Sequence, residues 1–170
     1  GQSYLYRVSY KGKAPTELSK LDTTSSHAKA RATRHMLEAF HGQPDPKAVE
    51  TAWPYLSSED YHLRYAARIA IEWQDAKSWT NKAYSEKDDV AAIHALLGLA
   101  RSDLKGSLAP SVKRLLKVDF AKLDKTGKLA LLRTYGVIMS RGGKPEAGQV
   151  KAIGDQLDPH FPAKDDNLNE

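Results

Sequence analysis

Residues 55–73, YLSSEDYHLRYAARIAIEW, contain the end of one helix, a four-residue break and the whole of a second helix. Ser57, Ser58, Glu59 and Asp60 supply the break, because short polar side chains accept hydrogen bonds from the free N–H groups of a helix's first turn. After them Leu63, Ala66, Ala67, Ala70 and Ile71 recur at helical spacing and form one apolar stripe. Alanines in such a stripe leave room for a close neighbour. The stretch therefore predicts a helix packed in a stack rather than a helix laid on a sheet.

Working outward, the same punctuation recurs. Ser26 is read as the N-cap of a helix over 27–41 with Met36, Leu37 and Phe40 on one face and Gly42 as its stop. Asp45-Pro46 opens a second helix reaching to about Leu56, with Trp53-Pro54 in its last turns. A fourth helix covers 76–85 with Trp79 and Tyr84, and Asp88 or Asp89 caps a fifth whose Val90, Ile93, Leu96, Leu97 and Ala100 point inward. Arg101 sits in its last turn, where positive charge suits the helix dipole. A sixth spans 108–118 with Leu115 and Leu116, an extra turn is expected around Phe120, and a seventh covers 126–140 before Gly142-Gly143. Pro145 opens an eighth through 157, which Asp158-Pro159 breaks. The polar tail reads as the entrance to a further helix.

At the other end, YLYRVSY over 4–10 alternates and is rich in aromatic and β-branched residues, which reads as one strand with no sheet to join. Linker chemistry follows, with Gly12, Pro15 and a Thr/Ser cluster. Residues 1–24 are accordingly read as an extended strand and linker closing a preceding domain, and 25–170 as a helical repeat domain that begins and ends mid-repeat.

The repeat is visible at an offset of 34, which aligns Ala32 with Ala66, Arg34 with Arg68, Leu37 with Ile71 and Glu38 with Glu72. At an offset of 29, Asp60 and Ala66 fall on Asp89 and Ala95. A drifting period of this size is how arrays with variable loops look. Paired helices, Pro54 inside the first of a pair and Asp60, Arg64, Ala66 and Ala67 opening the second resemble HEAT repeats. The resemblance implies an all-α, right-handed α-solenoid of antiparallel helix pairs, armadillo-like, with a short N-terminal extended segment. A narrower resemblance covers YLYRVSY, RHMLEAFHGQPDPKAVETAWPYLSSEDYHLRYAARIAIEWQDAKSW and ALLGLAR. These look like the region after the β-propeller in planctomycete and verrucomicrobial proteins of the membrane-bound dehydrogenase or haem-binding type. That resemblance implies a larger, periplasmic or extracellular parent with a propeller before this region and a c-type cytochrome segment after it. The chain holds neither the propeller nor a CxxCH motif, so no redox activity is carried over to it.

Composition narrows the chemistry. With 170 residues, 41% of them hydrophobic, the chain can bury a core without cross-links. No apolar run approaches the roughly 18 residues of a membrane span, and the mean hydropathy is −0.58. Absence of cysteine removes thiol catalysis, thiolate metal sites and covalent haem. It leaves the compartment open. Gly1 reads as an internal start, so a leader on a longer parent would be invisible. The net charge of +5 permits nucleic acid or an acidic partner without requiring either.

Six histidines, at 27, 35, 41, 62, 94 and 160, show neither HExxH nor an i, i+4 pair, and neither Asp88-Asp89 nor Asp165-Asp166 makes an acid/base pair. No phosphate loop or nucleophile elbow is present. The reading is a chain without catalytic residues, cofactor or metal. Arg34, Arg64, Arg68, Arg101 and Arg133 lie on the second helices of the pairs and form a candidate basic ladder on the concave surface. Against that, Arg34 and Arg68 can simply pair with Glu38 and Glu72 or with the next repeat. Trp53, Trp73 and Trp79 are read as anchors between helices whose indole N–H finds a carbonyl, whereas an exposed Trp beside Arg64 or Arg68 would suit stacking on a base or sugar. The leading expectation is a monomeric, non-catalytic scaffold that binds protein or neighbouring domains. The alternative is a nucleic-acid-binding solenoid similar to the HEAT-like alkylpurine DNA glycosylases.

Overall fold

The computed structural model describes residues 4–18, 20, 23–102, 106–143 and 145–169. Eight α-helices occupy them: α1 Ser26–Glu38, α2 Ala48–Ala52, α3 Tyr61–Glu72, α4 Ala76–Ser85, α5 Asp89–Arg101, α6 Leu108–Leu115, α7 Lys125–Gly142 and α8 Ala147–Leu157. Single 3-10 turns lie at Trp53–Tyr55, Phe120–Lys122, Asp158–His160 and Asp166–Leu168. The fold is all-α.

Aspartates start four of these eight α-helices. Asp60 accepts from the backbone N–H groups of His62 and Leu63, Asp75 from Lys77, Asp88 from Ala91 and Asp124 from Gly127. Each satisfies a donor that has no partner within the helix. At α1 the cap is Ser25, accepting from Ala28 N–H, and Ser26 is already helical. The two serines are chemically equivalent, and one residue of register separates them. Glycine closes α7: Gly143 takes φ +92, a conformation that costs an L side chain dearly.

Two expectations need correction. The second helix is only five residues long, Ala48–Ala52, and tightens into the 3-10 turn Trp53–Tyr55. Pro54 has no N–H to continue the α-helical ladder, so the chain closes with i, i+3 bonds, Leu56 N–H donating to Trp53 O. Pro46 does not start it, because Asp45 first makes a turn in which its side chain accepts from Lys47 N–H. The strand over 4–10 is absent: among the described residues no strand forms, and Tyr4, Leu5, Tyr6, Val8 and Tyr10 are exposed. An extended segment holds strand geometry only when a second one accepts its backbone hydrogen bonds. The boundary read near residue 24 falls partly on Ser19, Leu21 and Asp22, which lie outside the described residues, as do Gly1 and Glu170.

Along the chain α1 packs on α3, α3 on α5 and α5 on α7, while α2 backs α3, α4 backs α5, and α6 bridges α4, α5, α7 and α8. Leu37, Leu56, Ile71, Trp79, Ile93, Leu96, Leu99, Leu115 and Leu131 are wholly buried. Ala66, Ala67 and Ala70 belong to the same core, so the stripe read in 55–73 faces inward. Met36, expected beside Leu37, instead turns outward.

Polar staples link successive helices. His41 Nε2 lies 2.9 Å from Ala66 O, and Asp45 N–H donates to the buried Gln74 at 2.8 Å. The Arg114 guanidinium donates to Glu86 O and to the Asp89 carboxylate, both at 2.9 Å. Gln156 on α8 donates to Val118 O at 2.8 Å and accepts from Tyr135 Oη at 2.7 Å. Burial pushes the Tyr135 phenol's pKa up, so it stays a neutral donor.

Candidate functional site

Three of the five arginines of the expected ladder converge on one cavity. Of about 300 Å³, it opens between α3, α5 and α7 and is walled by Arg64 and Arg68 from α3 and Arg133 from α7. Tyr61 and Tyr65 line it from α3, His94 and Leu97 from α5, and Thr126, Leu129 and Ala130 from α7. Helical spacing explains the α3 wall, because 61, 64, 65 and 68 are i, i+3, i+4 and i+7 and share one face. A smaller cavity of about 200 Å³ continues from it past Arg64, His94 and Thr126 towards Glu59, Lys122 and Asp124.

The other two arginines lie elsewhere. Arg34 lines a separate depression of about 190 Å³ between α1 and α3 with Arg31 and Asp60. Its Nε is 3.1 Å from Glu38 Oε1, a half-exposed pair without hydrogen-bond geometry, worth on the order of 0–1 kcal/mol. Arg101, at the C-terminal end of α5, reaches back to Glu72 Oε2 at 3.1 Å, and its own carbonyl accepts from Arg141.

At the cavity the cations differ in how they are compensated. Arg68, 7% exposed, pairs with Glu72 one turn on, and its guanidinium lies 5.1 Å from the centre of the Tyr65 ring. Glu72 thus serves two guanidiniums, from α3 and from α5. Arg64, also 7% exposed, meets no carboxylate among the described residues: its Nη1 donates to the carbonyls of Ser58 and Glu59, and its buried Nε has no partner among them. Arg133 is exposed and makes no hydrogen bond or ion pair among the described residues.

His94 faces the two buried cations. Burial, then the charges of Arg64 and Arg68, lower its pKa to about 4, so the ring is neutral at physiological pH. Uncharged, it offers one N–H donor and one acceptor. The rim is aromatic: Tyr61 and Tyr65 stack at 6.2 Å with 27° between planes, and both are largely exposed.

The tryptophans do not take part. Trp53 and Trp79 meet edge to face at 6.4 Å in the core. Their indole nitrogens depart from expectation: Trp53 Nε1 donates to the Glu86 carboxylate at 2.6 Å rather than to a carbonyl, and the buried Trp79 Nε1 has no partner among the described residues. Burial works to raise the Glu86 pKa, but the Trp53 indole, the N–H groups of Asp88 and Lys87 and the nearby Lys82 outweigh it and lower it. Trp73 is exposed at the end of α3 and does not line the cavity.

The sequence reading thus named Arg64, Arg68 and Arg133 and overlooked Tyr61, Tyr65 and His94 as their company. The spacing of Tyr61 and Tyr65 against Arg64 and Arg68 was available as a signal. Nothing local joins His94 to them. Among the described residues no group of three metal-ligating side chains occurs, and no helix is long and apolar enough to cross a membrane. In comparison with known proteins the chain matches no family model, no curated protein and no solved structure.

Proposed function

We propose that the chain is a non-catalytic helical-repeat module, an α-solenoid of HEAT type, that binds a protein partner on the face made by α1, α3, α5 and α7. The packing of α3 on α1 and α5 and of α5 on α7, with α2 behind α3 and α4 behind α5, suits stacked helix pairs. The observation that carries the binding role is the joint placement of Arg64, Arg68 and Arg133 with Tyr61 and Tyr65 on one cavity of that face. Arginine and tyrosine around a recess are the residue types that dominate protein-binding hot spots.

A nucleic-acid partner fits less well. Backbone tracking draws on many free cations, whereas Arg34, Arg68 and Arg101 are already held by Glu38 or Glu72. The resemblance to the region following a β-propeller extends the proposal to a monomeric module inside a larger secreted redox protein, in which the face docks a neighbouring domain.

The test is selection from a displayed peptide library on the chain, followed by affinity measurement on Tyr65→Ala and Arg133→Glu. Both positions are exposed, so the fold survives the changes. Selected peptides should lose roughly tenfold or more in affinity on either variant. Failure to select any binder, or binders indifferent to both changes, would overturn the proposal. Labelled duplex bound with a steep salt dependence would favour nucleic acid instead.

A further inference from the structure

We propose that the cavity between α3, α5 and α7 takes a carboxylate carried on an apolar or aromatic body, as found in the acidic or C-terminal residue of a peptide. The inference rests on the proposed binding role of this face and names the ligand chemistry of its cavity.

Charge supplies the first argument. Arg64 is buried, and among the described residues its guanidinium meets two carbonyls on Nη1 and no carboxylate. A buried guanidinium lacking a carboxylate is a standing demand for an anion, because desolvation of the charge is otherwise offset only by dipoles. Arg133 brings a second unpaired cation to the same cavity from the opposite helix. Arg68 is occupied by Glu72 and adds its field more than its donors.

Shape and polarity supply the second. Leu97, Leu129 and Ala130 make much of the remaining wall, and the Tyr61–Tyr65 stack forms the lip. A volume of about 300 Å³ accommodates a side chain or a small molecule, at the lower end of ligand pockets. Free phosphate would satisfy the cations and leave the apolar wall wet. A carboxylate attached to a ring or aliphatic chain uses both. Planar, fork-like pairing with guanidinium suits a carboxylate as well.

His94 supplies the reporter. The groups facing it are Arg64 and Arg68 from α3, Arg133 from α7, Lys122 and Asp124 from the segment before α7, and Glu59 from the segment before α3. A bound carboxylate would offset the arginine field and raise the pKa of the ring from about 4.

The experiment is NMR titration of the whole chain, following the His94 ring and the Leu97 and Leu129 methyl signals. The probes are N-acetyl-phenylalanine, its primary amide and inorganic phosphate. The acid should shift these signals saturably and raise the His94 pKa. The amide should bind about tenfold more weakly or not at all, consistent with loss of one charge-assisted pair, and phosphate should leave the methyl signals unmoved. Arg133→Gln should weaken the acid about fivefold with an unchanged unfolding midpoint, since the side chain is exposed. Equal binding of amide and acid, saturable methyl shifts with phosphate alone, or no saturable shift with the acid would each overturn the inference. Selected peptides that require Tyr65 but neither an acidic group nor Arg133 would also overturn it while leaving the protein-binding role intact. Binding of the acid without any selectable peptide would support the inference and remove the protein partner.

Discussion

Helices α5 and α8 differ in what surrounds them more than in length. α5 lies between α3 and α7 with α4 and α6 behind it, and Ala91, Ala92, Ile93, Ala95, Leu96, Leu97, Gly98 and Leu99 are all buried. α8 meets α6 and the 3-10 turn that follows it, and buries Ile153 alone. Gln156 holds α8 in place through polar bonds to Val118 and Tyr135. Burial grows with the number of helices around a helix, so stability concentrates in the middle. The cavity sits there too, carved into the best supported part of the fold.

The strongest way to break that contrast is Ala67→Glu. Ala67 is fully buried in the α3 stripe within the core, and a carboxylate there would enter a packed apolar layer. It should cost about 5 kcal/mol or more. Chemical denaturation followed by circular dichroism should show no cooperative transition near that of the wild type; a retained midpoint would contradict the packing described.

Acid should act on the same middle region through His94. Its folded pKa of about 4 lies below the ordinary value of 6.5. Between these two values the unfolded chain binds the proton and the folded chain does not, so stability falls as pH drops through this window and is fully present above it. The loss amounts to about 3 kcal/mol at its greatest. Urea midpoints measured from pH 7 to pH 4 should show a component of acid sensitivity that His94→Gln removes, and parallel profiles for the two chains would contradict it.

At the edge the effects shrink. Ile153→Ala removes the one buried anchor of α8 and should cost about 2 kcal/mol. Hydrogen exchange should accelerate in α8 while the amides of α5 keep their protection; uniform acceleration would mean that the two helices open together. The smallest effect is expected at Gly98. A methyl group there would stand 3.3 Å from Glu72 Cγ, a flexible side chain that can yield by a few tenths of an ångström. The strain offsets most of the helix-propensity gain of about 1 kcal/mol, leaving stability within about 1 kcal/mol of wild type. A larger loss on thermal melting would show that the Arg68–Glu72–Arg101 cluster is more rigid than its geometry suggests.

Local chemistry made much of the architecture legible. Asp60 and Asp88 start helices where their sequence positions place them, and Gly143 ends α7. Errors arose where local signals competed. Ser25 and Ser26 cap equally well on chemistry, and Pro54 shortened a helix whose apolar pattern continued. The strand reading of 4–10 failed for another reason: alternation shows what a segment can do, and no second strand is present among the described residues to let it.

The candidate site was half legible. Arg64, Arg68 and Arg133 could be named from helix position, but their separation from Arg34 and Arg101 could not. Arg34 and Arg68 occupy the same place in the repeat, each with a glutamate one turn on. In the fold Arg34 stays half-exposed at the α1 edge, while Arg68 is buried beneath α5 near Tyr65, Glu72 and His94. Helices, caps and the inward stripe of residues 55–73 follow from the chain itself, because backbone hydrogen bonding and side-chain periodicity act over a few residues. Which arginine is buried, which keeps an unsatisfied donor and which histidine faces it were decided only by tertiary packing. Those properties depend on neighbours brought in from about 30 residues away, through desolvation and Coulomb forces that no local pattern records.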